Sequence, residues 1–214
     1  MSSFVVRVWL PDRPGALGQV ASRIGAVRGD VTGIEILERG GGSAIDELVV
    51  SLPDDVSRDL LLAEIAQVDG VAIEDVRPIE TGRPDAGMVA LEIAACLVET
   101  SIDDRLEVFC EQLRSLVDGS WALAMRVSDS STLVCLGAPP DTAWLAAFFA
   151  GSRHIPAGEF GAAPGDMVWV HLDSLDVSVA AGRSDRPFHT RERLQVALLG
   201  RVANGLVAAP LHRS

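Results

Sequence analysis

The sequence predicts an α+β protein of two domains, in which an antiparallel sheet backed by two helices is followed by a second mixed unit. Three observations carry that expectation. Over the first stretch of about 80 residues the hydrophobic periodicity runs strand, helix, strand, strand, helix, strand, the order of a split βαβ arrangement with both helices on one face. Glu80 to Gly87 then has the glycine, proline and charge mix of a linker. The full length of 214 residues also exceeds what one small core requires. The boundary is placed near residue 84, giving domains over 1–84 and 85–214.

The elements follow from pattern and punctuation. Phe4, Val6, Val8 and Leu10 alternate with Val5, Arg7 and Trp9, a half-buried strand. Asp12-Arg13-Pro14-Gly15 makes a tight turn, with Pro14 expected to open the first helical turn and Gly15 to admit another group to the backbone. Leu17, Val20, Ala21, Ile24 and Val27 form one apolar stripe, and Gly29-Asp30 closes that helix. Val31 to Arg39 and Ala44 to Leu52 are strands joined through Gly40-Gly41-Gly42 as a hairpin. A helix from Ser57 to Val68 and a strand from Val71 to Ile79 complete the first domain.

In the second domain, Met88 to Thr100 is apolar on nearly every side, with Glu92 and Glu99 on one face. Asp103 to Val117 is an amphipathic helix with Leu106, Phe109, Cys110, Leu113 and Val117 inward. Strands are expected at Trp121 to Val127, Thr132 to Leu136, Met167 to Leu172 and Leu175 to Ala180. A short apolar helix lies at Trp144 to Phe149, and a last helix runs from Thr190 towards Leu206. Eight of the ten aromatic residues fall in this half, which therefore owns the larger core.

Composition removes several functions. All 18 basic residues are arginine, and there is no lysine and no tyrosine, which excludes a Schiff-base lysine, a phosphate-loop lysine and a tyrosine acid. The net charge of −12 divides as −7 over residues 1–85 and −5 over the rest, so neither half offers a basic face to nucleic acid or to an anionic membrane. Cys96, Cys110 and Cys135 are odd in number, lie in apolar runs and read as buried thiols of a reducing compartment. With no leader-like start and no run long enough to span a bilayer, the expected location is the cytoplasm.

A first strand ending in Leu-Pro-Asp-Arg-Pro-Gly-Ala-Leu, an amphipathic helix and then Gly-Asp-Val-Thr-Gly-Ile-Glu-Ile together resemble the ACT domain, a small ligand-sensing module of metabolic regulators. The resemblance covers Phe4 to Ile79 and implies a ferredoxin-like βαββαβ sheet. One departure stands out: the family often has Asn before the second strand, where this chain has Asp30. The second half, with helices at both ends of a mixed run of strands, resembles a shortened GAF domain, mostly through the Gly182-to-Leu199 stretch.

The turn at Asp12 to Leu17 is the candidate site. A helix start offers free N–H groups and a partial positive charge, which suit an α-carboxylate, while Asp12 or Asp30 can accept from an ammonium group. The resemblance implies Asp12, Pro14, Gly15, Ala16, Leu17, Asp30 and Val31 as ligand-binding residues. Other chemistries find little support. His154, His171, His189 and His212 lack zinc spacing, and His189 with Glu192 reads as a cap, so no metal or cofactor is expected. Asp54-Asp55 and Asp103-Asp104 fall where helices begin and read as caps. Gly151-Ser152-Arg153 lacks the second glycine of a nucleophile elbow. The long Gly151 to Asp166 stretch is a gate over a cavity lined by Trp121, Trp144 and Trp169, or a plain loop over core tryptophans.

The expectation is therefore a non-enzymatic regulatory protein that binds an amino acid at the turn, with a second domain that dimerises or transmits. Homodimerisation is expected because the all-round apolar helices are hard for one small domain to cover. The alternatives are a regulatory subunit or small enzyme of amino-acid metabolism and an interaction module without ligand.

Overall fold

The computed structural model describes residues 1–80, 82, 86–153 and 164–208. The chain divides into two compact units, Met1–Asp85 and Ala86–Ser214.

The first unit runs β1 (Ser2–Pro11), α1 (Ala16–Ala26), β2 (Asp30–Gly40), β3 (Ser43–Leu52), α2 (Arg58–Ile65) and β4 (Ala72–Ile79). Its sheet has the order β2-β3-β1-β4, and every pairing is antiparallel. β1 and β3 pair without a slip from Ser2↔Leu52 to Pro11↔Ser43. Strict alternation therefore puts Val6, Val8 and Leu10 beside Ala44, Leu48, Val50 and Leu52 on the face that packs against Val20 and Ile24 of α1 and Leu61 and Ile65 of α2. The β2–β3 hairpin closes through Gly41 and Gly42, both in the left-handed region at φ +60° and +81°. On the opposite face Arg7 is buried and donates to Glu47 through Nε and Nη2 (3.1 and 2.7 Å), while Arg77 bridges Glu47 and Asp75.

The second unit runs α3 (Ala86–Glu99), α4 (Arg105–Leu116), β5 (Trp121–Arg126), β6 (Thr132–Leu136), α5 (Thr142–Ser152), β7 (Met167–Leu172), β8 (Val177–Gly182) and α6 (Thr190–Ala208). Its four strands form an antiparallel sheet in the order β6-β5-β8-β7. Both faces are covered. Ile93, Leu97, Phe109, Leu113, Val196 and Leu199 from α3, α4 and α6 pack on Ala122, Val168 and Val179. Leu145 and Phe149 of α5 pack with Trp121, Leu123, Met125 and Met167 on the other side. This double burial is why β5 reads as a nearly continuous apolar run and β8 as one broken only by Ser178.

Several expectations change. The strand expected from Leu175 begins at Val177, because Asp173–Leu175 form a 3-10 turn and Asp176 takes a left-handed φ of 55°. Its carboxylate then accepts from the Ser128 amide and from Arg153. Cys110 is buried, and burial pushes its thiol up to about 12. Cys135 is instead exposed, because β6 is an edge strand. Among the described residues Trp121 belongs to the core, Trp169 packs beside it, and Trp144 is exposed. His154, His212 and most of the Gly151–Asp166 stretch lie outside the described residues.

Candidate functional site: the strand-to-helix turn of the first unit

β1 ends where Pro11 pairs with Ser43, and the Asp12 amide still donates to the Gly42 carbonyl at 2.9 Å. The chain then reverses. The Ala16 amide donates to the Arg13 carbonyl at 3.3 Å, with Gly15 at φ +87° and ψ −10°. Proline second and left-handed glycine third is the signature of a type II turn. Pro14 therefore does not open the helix, as its position suggested; α1 starts at Ala16, with Gly15 as the N-cap residue and no side chain capping it.

An uncapped helix start leaves donors free. Among the described residues no acceptor meets the amides of Gly15, Leu17 or Gly18. A Cβ built on Gly15 would touch nothing within 4 Å, so the space beside these donors is open. Asp12, Arg13, Pro14 and Gly15 are exposed, Ala16 is buried in the core beneath α1, and Leu17 packs against it.

The sequence reading did not single out Asp46. It sits on β3 opposite Val8, on the helix-facing side between Ala44 and Leu48, and is only 3% exposed. Its Oδ1 has no hydrogen-bond partner. Burial raises its carboxyl above the ordinary aspartate value; Arg39 pulls it down and Asp12 pushes it up. That mutual repulsion ties Asp46 electrostatically to the turn. Alternation held the clue, since among the inward positions Ala44, Asp46, Leu48, Val50 and Leu52 only Asp46 is polar.

Two expected site residues lie elsewhere. Asp30 and Val31 open β2 and pair with Ser51 and Val50, whereas the turn adjoins Ser43. Ser43 and Ser51 on β3 are roughly 26 Å apart at about 3.3 Å per residue. The reason is topological: α1 runs back antiparallel to β1, so β2 starts at the end of the sheet where β1 began. Within one chain, Asp30 and Val31 do not join Asp12, Pro14, Gly15, Ala16 and Leu17.

Other polar groups serve the fold. The Asp54 carboxylate meets the N-terminal ammonium, Asp55 meets Arg28, and Asp104 accepts from Ser101 Oγ at 2.6 Å without capping α4. The α2 cap is Ser57, accepting from the Leu60 amide. Ser152 Oγ lies 3.3 Å from His171 Nε2, and His171 Nδ1 lies 2.8 Å from Ser178 Oγ. Ser152 is buried at the carboxyl end of α5, where carbonyls rather than donors converge, the wrong polarity for an oxyanion. Burial holds the His171 imidazole below its ordinary value. Among the described residues no cluster of His, Cys, Asp and Glu could hold a metal ion, and no helix is long and apolar enough to cross a membrane.

Residues 4–70 match the ACT domain. The match spans β1 through α2, so the free amides and Asp46 both lie within the ACT domain. No curated protein matches the chain. Among solved structures, an unknown protein from Galdieria sulphuraria is 19% identical over 44% of this chain and 64% of its own, with a TM-score of 0.33. A formyltetrahydrofolate deformylase from Pseudomonas putida KT2440 is 17% identical over 42% of this chain and 36% of its own, with a TM-score of 0.32. This chain thus spans less than two thirds of either protein.

Proposed function

We propose that the chain is a non-enzymatic regulatory protein whose ACT domain binds an amino acid at the β1–α1 turn. The α-carboxylate is held by the Gly15, Leu17 and Gly18 amides, where the α1 dipole favours negative charge. The ammonium group faces Asp46, to which it supplies a missing partner. Leu17 packs against the side chain, and Asp12 adds negative potential at the mouth. The second unit, read as GAF-like with its terminal helices α3 and α6 on one face of the sheet, serves for dimerisation or transmission in a cytoplasmic regulator. No further cofactor is called for.

One observation carries this reading: a nearly sealed carboxylate without a hydrogen bond sits near an uncapped helix start with open space beside it. Burying an ionisable group unpaired costs stability, so its presence makes sense where a cationic partner arrives. A thermal-shift panel of the common amino acids tests it. At 100 times its dissociation constant a ligand should stabilise the domain by roughly 2.7 kcal/mol. Asp46→Asn should weaken binding by about 10- to 100-fold, the worth of a hydrogen bond to a charged group. A panel without any shift, repeated by calorimetry with the same outcome, would refute the proposal.

A further inference from the structure

We propose that the outward face of α3 and α6 is the interface between two copies of this chain, with α3 of each copy lying on α6 of the other. The two helices pack side by side and turn their inner faces to the larger core through Ile93, Leu97, Val196 and Leu199. Their outer faces are apolar as well. Met88, Leu91 and Val98 on α3 are 50%, 66% and 45% exposed, and Leu194, Leu198 and Val202 on α6 are 49%, 50% and 45% exposed. The spacings of three, four and seven put each trio on one stripe. Half of each of six such side chains comes to roughly 500 Å² of apolar surface per copy, the upper range for a lone monomer and most of the roughly 800 Å² per partner in a stable interface.

Charge selects the occupant and the arrangement. The exposed charges of α3 are both acidic, Glu92 and Glu99, whereas Arg191 and Arg201 are exposed on α6. Laying α3 on the other copy's α3 would oppose acid to acid. A two-fold axis that lays α3 on α6 opposes Glu92 and Glu99 to Arg191 and Arg201, and symmetry repeats the match. The face is thus complementary to itself. A net charge of −12 disfavours an anionic membrane as the occupant.

The inference rests on the part of the proposed function that gives self-association to the second unit, and it is independent of the ligand. Sedimentation velocity on the full chain across micromolar concentrations should show a species of twice 22.6 kDa. Leu198→Glu should raise the dimer dissociation constant at least tenfold with the circular dichroism spectrum unchanged. Should that variant misfold, Glu92→Arg with Glu99→Arg, both at exposed positions, gives the same loss by opposing like charges. Adding Arg191→Glu and Arg201→Glu should restore the dimer. A wild-type chain that stays monomeric overturns both the interface and the self-association reading. A dimer indifferent to the folded variants overturns the interface alone, and neither result touches the amino-acid panel.

Discussion

Two strand-to-helix junctions in this chain share the text Asp-Arg-Pro, and they end in opposite states. At Asp12-Arg13-Pro14 the next residue is Gly15, which takes the left-handed φ, leaves the helix start uncapped and keeps the space beside it open. At Asp185-Arg186-Pro187 the next residue is Phe188, whose amide donates to the Gly165 carbonyl at 2.7 Å and whose ring lies 3.8 Å beneath the Arg183 guanidinium. Glu192 then accepts from the His189 amide at 3.0 Å, and Arg183 reaches the carbonyls of Val117 and Pro187 as well as Glu192. One junction is open and the other is plugged by the protein's own side chains. The residue after the proline, and what packs on it, decides whether the donors at a helix start stay open.

The largest expected effect comes from breaking the plugged junction. Arg183→Ala strips four acceptors, the Val117, Arg186 and Pro187 carbonyls and Glu192, of a buried donor and should destabilise the second unit by about 3–5 kcal/mol, read as a loss in its urea midpoint. Gly15→Val, at the open junction, should cost only about 1–2 kcal/mol, because the branched side chain is strained at positive φ but meets no neighbour. Its larger consequence should be loss of ligand binding, measured by calorimetry.

Titration separates the two units further. His171 is held below its ordinary value, so the unfolded chain takes up a proton first as pH falls. Stability from this neutral imidazole is complete above the ordinary histidine value of 6.5 and is lost as pH falls through the lowered folded value. Hydrogen exchange of the β8 amides should show that decline, and His171→Gln should flatten it. Asp46 works in the other direction: its folded value is raised, so the unliganded ACT domain loses stability as pH rises from 3.8 through that raised value. The smallest effect should be that of Asp12→Asn, an exposed replacement expected to stay within about 0.5 kcal/mol.

Much of the fold was readable from periodicity. The ACT sheet order follows from alternation in β1 and β3, the α1 stripe and the glycine hairpin. The packing of the second unit was less so, since β5 and β8 are buried on both faces and α5 is apolar all round, which removes any phase that would say which face packs where. The exposure of Trp144 on α5 was unreadable for the same reason, and that of Cys135 because the sequence does not show that β6 lies at the sheet edge. The reversal over Asp12 to Leu17 was legible because proline and glycine act locally. That Asp30 and Val31 lie at the other end of the sheet within one chain was not legible, because the position of β2 along the sheet is set by the length and direction of α1. The arginine clasp at Arg183 and Arg193 went unseen, although a chain without lysine leaves only arginine's planar fork to fill several buried carbonyls at once.

The most direct measurement compares the unliganded stability of Asp46→Asn with its response to amino acids. A carboxylate kept buried for a ligand costs the empty domain stability, so the variant should melt higher without ligand, by on the order of 1 kcal/mol, and lose the ligand-induced shift. A variant that melts lower while still responding to amino acids would show that Asp46 serves the fold and that the turn binds without it.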